Sequence, residues 1–235
     1  MSGDLYLSGI VLFAAPHREY DRRLILLTKE RGKVTAFARG ARRPTSALLG
    51  STLPLCFGRF RVFEGRSAYT LAGAQIDWYF SEVREDLTHS GYASYMMELA
   101  DYYGVENLDA TAMLNLLYVS LKALENPSIP DRLVRYIYEV RLMVINGEFP
   151  QQYLEDPSLS DSARYALRFM VSAPLERLYT FNLTEEVLEE IAFVQDRIRK
   201  RTLEAPPRSL AFLESLTALA VEKESQYSYN RLDAD

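Results

Sequence analysis

The sequence predicts an α+β multidomain protein: a small closed β-barrel over residues 1–80, followed by an all-α domain over residues 81–235. In the first part, short alternating apolar segments are separated by turn residues, whereas from Ser81 onward apolar residues recur at helical spacing. The balance of basic and acidic residues also reverses near residue 80. Residues 1–80 carry twelve Arg and Lys against six Asp and Glu, and residues 81–235 carry fifteen against twenty-six.

Five strands are predicted, over residues 5–13, 24–28, 33–39, 53–64 and 68–76. The second and third are joined at Glu30-Arg31-Gly32, where the glycine can adopt a positive φ in a tight turn. The fourth and fifth meet at Gly65-Arg66. A loop or short helix over residues 43–49 interrupts the series after the third strand, and this arrangement suits a small closed barrel.

Six helices are predicted, one ending at Gly104, one from Asp109 to the residue before Asn126, one from Pro130 to Asn146, and three beginning at about Ser160, Thr184 and Ser209. Glycine is a common residue just after a helix, and proline is favoured in the first helical turn. These signals support the boundaries at Gly104 and Pro130.

Basic residues are concentrated in one stretch of an otherwise acidic chain. Between His17 and Arg43 nine residues are basic and three are acidic, although the net charge of the whole chain is −5. A local excess of this kind indicates a site for a polyanion, most often nucleic acid, the alternative being a solvated basic surface. The candidate phosphate-binding residues are Lys29, Arg31 and Lys33 around the turn, and Arg39, Arg42 and Arg43 after the third strand.

The fourth predicted strand interleaves aromatic residues with arginine. Alternation places Phe57, Arg59, Arg61 and Phe63 on one face. Aromatic rings and guanidinium groups on an open barrel face suit single-stranded nucleic acid, because bases stack and phosphates pair. In the alternative interpretation, the two phenylalanines belong to the core and Arg59 and Arg61 are merely solvated.

These residues also carry a resemblance. The segments Gly9-Ile10-Val11-Leu12, Asp21-Arg22-Arg23-Leu24, Leu26 to Val34, Ala38 to Arg43 and Tyr138-Glu139-Val140-Arg141-Leu142 resemble the RecO family of DNA repair proteins. The resemblance continues in order over nearly the whole chain. It implies an N-terminal OB-fold and a recombination mediator that binds single- and double-stranded DNA and anneals complementary strands. The resemblance further implies that, together with RecR, such a mediator helps to load recombinase onto strands coated by single-strand-binding protein.

The sequence departs from the family pattern at a segment that binds zinc in many relatives. Many relatives carry a Cys-rich zinc module after the segment matching Gly147 to Pro150, but residues 151–156 contain no cysteine here. The chain has one cysteine, Cys56, and two histidines. We therefore expect no zinc and no other cofactor. The only charge before Ser8 is Asp4, which does not fit a signal peptide, so a cytoplasmic protein without a membrane segment is expected. The resemblance to a DNA repair family further implies association with the nucleoid.

The predicted helix from Pro130 to Asn146 carries three further candidate residues, Arg132, Arg135 and Arg141. By resemblance, they would bind the acidic C-terminal tail of single-strand-binding protein, since arginine pairs with carboxylates at the rim of an apolar groove. Structural ion pairs with Asp131 and Glu139 are the alternative.

Two other functional classes remain open from the sequence. One is an RNA-associated OB-fold protein with a helical docking domain. The other is a metal-dependent nuclease using Glu19 and Asp21. The sequence contains no Gly-x-x-x-x-Gly-Lys loop that would hold the phosphates of ATP, so a binding protein without enzymatic turnover is expected.

Overall fold

The N-terminal part of the computed structural model, which describes residues 4–218, is a closed five-stranded barrel. Its strands are β1 Leu5–His17, β2 Asp21–Thr28, β3 Gly32–Ala38, β4 Phe57–Glu64 and β5 Tyr69–Trp78. The order around the barrel is β1-β2-β3-β5-β4, with β4 closing on β1. All neighbouring pairs are antiparallel except β3 and β5. This topology confirms the predicted OB-like barrel.

The barrel interior follows from the alternation of its strands. In β3, every second residue is buried from Gly32 to Ala38, and in β4 the side chains of Phe60 and Val62 are fully buried while Arg59 and Arg61 are exposed. Leu24 and Leu26 of β2 complete this core from the neighbouring strand. Apolar residues at a period of two therefore fill the barrel, and its polar residues face outward.

The C-terminal part is helical, as predicted. Its helices are α1 Ser81–Glu85, α2 Leu87–Tyr103, α3 Thr111–Leu124, α4 Asp131–Ile145, α5 Asp161–Ser172 and α6 Glu185–Thr202, and residues 208–218 are also helical. Two 3-10 turns lie at Gln151–Glu155 and Leu175–Arg177. The sequence did not predict α1 or these turns, each of which has five residues or fewer.

The helical region packs on the outer side of the barrel at the middle of β1. Ile10 and Leu12 of β1 and Leu27 of β2 belong to the same buried core as the helices, not to the barrel interior. The β2–β3 turn is also attached. The Lys33 N–H donates to the carbonyl of Val105 at 3.3 Å, and the Ala110 N–H donates to the carbonyl of Lys29 at 3.3 Å. The barrel and the helices are thus joined by both apolar packing and backbone hydrogen bonds.

Candidate nucleic-acid interface

Five arginines meet at the end of the barrel where β1 turns into β2 and β3 ends. We call them the basic rim: Arg18, Arg22, Arg39, Arg42 and Arg43. Arg22 pairs in register with Ala38, so the start of β2 lies beside the end of β3. The antiparallel pairing of β2 with β3 therefore brings Arg22, and the β1–β2 turn that carries Arg18, next to the three arginines that the sequence predicted.

The loop after β3 is folded back onto the β1–β2 turn. Gly40 has a φ of +63°, and its N–H donates to Oδ1 of Asp21 at 2.8 Å. The Arg42 N–H donates to the carbonyl of Tyr20 at 2.9 Å, and Arg42 Nη1 donates to the carbonyl of Glu19 at 3.2 Å. These bonds fix the backbone of the rim while Arg42 remains exposed to solvent.

The basic rim has an unbalanced positive charge. Within residues 4–218, none of its five guanidinium groups forms an ion pair. Arg22 instead donates to the carbonyl of Leu49 at 3.1 Å and to Oγ1 of Thr52 at 2.5 Å. Burial, together with the nearby charge of Arg42, lowers the pKa of Arg22. Asp21 lies in the same turn, but its Oδ1 accepts the N–H of Gly40 and pairs with none of these five guanidinium groups. Like charges without an ion-pair partner are suited to an anion such as phosphate.

An aromatic surface adjoins the rim. We call it the β2–β3 face: Arg23 of β2 and Phe37 of β3, with Phe13 and His17 of the adjoining β1. The Phe13 ring is 48% exposed, and the guanidinium carbon of Arg23 lies 5.9 Å from its centroid. The rings of His17 and Phe37 are 4.7 Å apart. The ring of Phe13 is exposed, and those of His17 and Phe37 are half-buried. Accessible rings beside arginine suit base stacking, and strands 2 and 3 are where OB-folds bind oligonucleotides.

The β2–β3 face is not apparent from the sequence. The predicted first strand ended at Phe13, whereas β1 continues to His17 because residues 14–17 pair with residues 21–24 of β2. The alternation of Phe13, Ala15 and His17 was the available signal, but Pro16 obscured it.

Arg59 and Arg61 lie elsewhere on the barrel, on a second aromatic surface. We call this the β1–β4 face: Tyr6, Arg59, Arg61 and Phe63. The structure therefore does not bring these two arginines together with the basic rim. Phe57, predicted for the same face, is partly buried against the helical region, with its ring 4.7 Å from that of Tyr118. For Phe57 the alternative interpretation, a core residue, is the observed one.

Lys29, Arg31 and Lys33 lie at the opposite end of β3, roughly 20 Å from the rim along the strand. They surround the turn that docks on the helical region. Lys33 Nζ donates to the carbonyl of Asp101 at 2.6 Å and lies 3.4 Å from its carboxylate, and Arg31 Nη1 donates to Oδ1 of Asn107 at 3.4 Å. Their predicted role in DNA binding stays a prediction, and two of the three side chains contact the helical region.

The three arginines of α4 all have partners within the chain. Arg132 donates to Glu185 at 2.5 Å and to Glu189 at 2.7 Å, with its side chain 36% exposed. Arg141 donates to the carbonyls of Met170 and Val171, and burial lowers its pKa. The role of these arginines in binding a partner peptide also stays a prediction.

Arg135 is buried and pairs with Glu139. Its Nε donates to Oε1 of Glu139 at 2.8 Å, and its guanidinium carbon lies 4.8 Å from the Tyr95 ring centroid. Burial would lower the pKa of Arg135, but the carboxylate of Glu139 raises it. This is the structural ion pair that the sequence offered as the alternative.

The carboxylates of the nuclease alternative are not gathered into a metal site. Asp21 accepts the N–H of Gly40, and no group of three or more His, Cys, Asp and Glu residues within the described part of the chain could hold a metal ion. In the same residues, no helix is long and apolar enough to cross a bilayer.

Comparisons with known proteins agree with this architecture. The family model "Recombination protein O N terminal" matches residues 1–79, and "Recombination protein O C terminal" matches residues 84–153. The DNA repair protein RecO of Acetivibrio thermocellus is 30% identical over 244 aligned residues, covering 90% of this chain and 97% of that protein. The RecO protein of Clostridium perfringens is 28% identical, covering 88% of this chain and 96% of that protein.

Proposed function

Because the chain belongs to the RecO family of DNA repair proteins, we propose that it is a recombination mediator that binds DNA at the basic rim and the β2–β3 face. It binds single and double strands and anneals complementary strands without nucleotide hydrolysis. With RecR, it helps to load recombinase onto strands coated by single-strand-binding protein.

One observation carries the proposal: the contrast in how arginines are used in the two parts of the chain. The guanidinium groups of Arg132, Arg135 and Arg199 in the helical region pair with carboxylates, whereas none in the basic rim does so within residues 4–218. Free arginines beside exposed aromatic rings support binding through phosphate and stacking. Such contacts leave the Watson–Crick edges of bases available for pairing.

The test is the triple variant Arg39→Glu, Arg42→Glu, Arg43→Glu. These side chains are exposed, so the barrel should still fold. We expect weaker binding to single and double strands of unrelated sequence, with a log–log salt dependence shallower by roughly one unit per lost phosphate contact. Fluorescence anisotropy over a series of salt concentrations measures both.

The matched control is Arg168→Glu with Arg177→Glu, two exposed arginines of the helical region. This variant should bind DNA as the wild type does. If the folded triple variant retains the affinity and salt dependence of the wild type, the DNA site lies elsewhere.

We further propose that the helical region docks on coated strands through the acidic tail of single-strand-binding protein. Of the three candidate arginines, Arg132 offers the best support, because its ion pairs with Glu185 and Glu189 lie at the surface. A tail carboxylate can replace these partners at little cost, since exposed ion pairs contribute about 0–1 kcal/mol.

A further inference from the structure

The helical region divides the outer side of β1 into two exposed ends. Along this strand, Tyr6 is 56% exposed, Ile10 is fully buried against the helices, and Phe13 is 48% exposed. Each exposed end carries its own aromatic and arginine side chains. The C-terminal end belongs to the β2–β3 face, and the N-terminal end belongs to the β1–β4 face.

The β1–β4 face has the groups that a strand of nucleic acid requires. Tyr6 pairs in register with Arg61, and Ser8 pairs with Arg59. The Phe63 ring is 39% exposed. Arg61 lies across the surface of β5, because a Cβ on Gly73 would be only 3.7 Å from its Nε. Both arginines and both rings therefore project from the same outer surface of the barrel.

The charge of this face is only partly balanced. Among the described residues, Asp4 is the one carboxylate that pairs with either arginine, 3.3 Å from Arg61 Nη1. Both side chains of that pair are about 40% exposed (44% and 39%), so a phosphate can displace the aspartate easily. Arg59 is exposed and forms no ion pair within residues 4–218.

The two faces are far enough apart to hold two strands at once. Tyr6 and Phe13 are seven residues apart on β1, which corresponds to roughly 20 Å along a strand. The Debye length at physiological salt is only about 8 Å, so two bound strands repel each other weakly at this separation. Both nevertheless remain near the same barrel, which raises their local concentration relative to each other.

We propose that the β1–β4 face is a second single-strand site, so that one copy of the protein holds two strands during annealing. This inference rests on the proposed function and deepens it. The first strand lies on the basic rim and the β2–β3 face, and the second is stacked on Tyr6 and Phe63 with its phosphates paired to Arg59 and Arg61.

The test counts strands per protein copy. Native mass spectrometry with an oligonucleotide of about eight thymidines, within the site size of one OB-fold, should show one wild-type copy with two strands. The variant Arg59→Glu with Arg61→Glu should hold one strand, and so should the triple rim variant. The control variant Arg168→Glu with Arg177→Glu should hold two.

A second readout uses complementary strands of natural sequence. The Arg59→Glu, Arg61→Glu variant should bind the first strand with unchanged affinity but anneal at least about tenfold more slowly. Tyr6→Ala, which changes no charge, should also slow annealing. Circular dichroism establishes that each variant is folded.

The possible failures are distinguishable. If the wild type binds no strand, the proposed function itself is overturned. If the wild type binds one strand only, if two strands always require two protein copies, or if the Arg59→Glu, Arg61→Glu variant still holds two strands, the second site is overturned and the first remains.

Discussion

Gly32 shows how a single residue joins the two parts of the molecule. It lies at the β2–β3 turn with a φ of +62°, and its backbone forms a bridge to Glu106 of the helical region. A Cβ at this position would be 2.0 Å from the carbonyl oxygen of Val105 and 2.7 Å from that of Leu108. The sequence predicted the turn, but the close approach of a second segment depends on tertiary docking and has no local signal.

We predict that Gly32→Ala destabilises the protein more than Gly147→Ala. Both glycines have positive φ, which costs an L-residue about 1–2 kcal/mol. Gly147 has open space around it, so its substitution should cost only this amount. At Gly32 the carbonyls of Val105 and Leu108 must also move, which should add roughly 1–3 kcal/mol. Urea denaturation measures both free energies of unfolding, and equal losses would contradict the predicted close docking.

The buried ion pair between Arg135 and Glu139 is a second contact between individual residues on which the stability of the fold depends. Glu139 is 1% exposed, and it accepts hydrogen bonds from Arg135 at 2.8 Å and from the Tyr95 hydroxyl at 2.6 Å. Nη1 of Arg199 lies 3.9 Å from the same carboxylate oxygen, so loss of Arg135 leaves the buried Glu139 with the Tyr95 hydrogen bond and this longer ion pair. Arg135 is therefore a poor position at which to test partner binding, since Arg135→Glu would place a second carboxylate beside Glu139.

We predict that Arg135→Met lowers the free energy of unfolding by about 3 kcal/mol, the lower end of the range for a broken buried pair, because Arg199 remains near Glu139. The double variant Arg135→Met with Glu139→Met should recover part of this loss, because the buried carboxylate is then gone and Arg199 keeps its ion pair with Asp196. Arg168→Met, at an exposed ion pair with Glu155, should cost no more than about 1 kcal/mol. Thermal or chemical denaturation of the three variants measures their free energies of unfolding and checks the predicted order of stability. A double variant less stable than Arg135→Met would show that Glu139 does not carry the penalty.

At the scale of elements, the barrel could be predicted because its strands alternate, and the long helices because their apolar residues recur. The short elements could not be predicted in this way. α1 has five residues and begins after Phe80, which adopts a φ of 48° although it is not glycine. This conformation is stabilised by tertiary packing, since the Phe80 side chain is 1% exposed and contacts the rings of Tyr118 and Trp78. Contacts between distant segments override local preference here.

The helix over residues 208–218 begins next to α2, where the side chain of Glu98 accepts hydrogen bonds from the first N–H groups of the helix. Its two carboxylate oxygens accept the N–H of Arg208 and the N–H and hydroxyl of Ser209, at 2.8, 2.8 and 2.6 Å. Burial would raise the pKa of Glu98, but these hydrogen bonds outweigh it and lower the pKa. The helix is thus capped by a side chain from another element, which no local sequence pattern predicts.

We predict that the stabilisation from Glu98 depends on pH. A lowered pKa in the folded state means that the ionised carboxylate stabilises the fold above its unfolded pKa of about 4.3, and that this contribution is lost as the pH falls further. Glu98→Gln should reduce the free energy of unfolding by about 1 kcal/mol at pH 7, in the range of a lost helix cap. The difference from wild type should shrink at pH 3.5. A difference independent of pH would show that the charge of Glu98 is not involved.

At the scale of the whole molecule, the sequence predicted the fold and one part of the candidate interface. Arg39, Arg42 and Arg43 were identified because they are adjacent in the chain. Arg18 and Arg22 were missed because the predicted second strand began at residue 24, whereas β2 begins at Asp21 and pairs Arg22 with Ala38 at the end of β3. In the sequence, the arginines of the helical region look equally able to bind phosphate. Only the tertiary structure distinguishes guanidinium groups that pair with a carboxylate from those that do not.

We propose that the barrel binds DNA and that the helical region docks on single-strand-binding protein. These two roles can be tested separately with naked and coated strands. Annealing of naked strands depends on the barrel, so Arg39→Glu, Arg42→Glu, Arg43→Glu should slow annealing of naked and coated strands alike. Arg132→Ala should slow only annealing of strands coated by single-strand-binding protein, by about fivefold, the equivalent of roughly 1 kcal/mol for one hydrogen-bonded contact.

Arg168→Ala is the matched control for Arg132→Ala, because it also removes an exposed arginine that pairs with a glutamate. We expect it to leave both reactions unchanged. Removing Arg132 should not unfold the protein, since Glu185 and Glu189 are 67% and 61% exposed and remain solvated. The rates can be followed by fluorescence of labelled complementary strands. If Arg132→Ala slows naked and coated annealing equally, or if Arg168→Ala has the same effect, docking of the coated strand does not depend on Arg132.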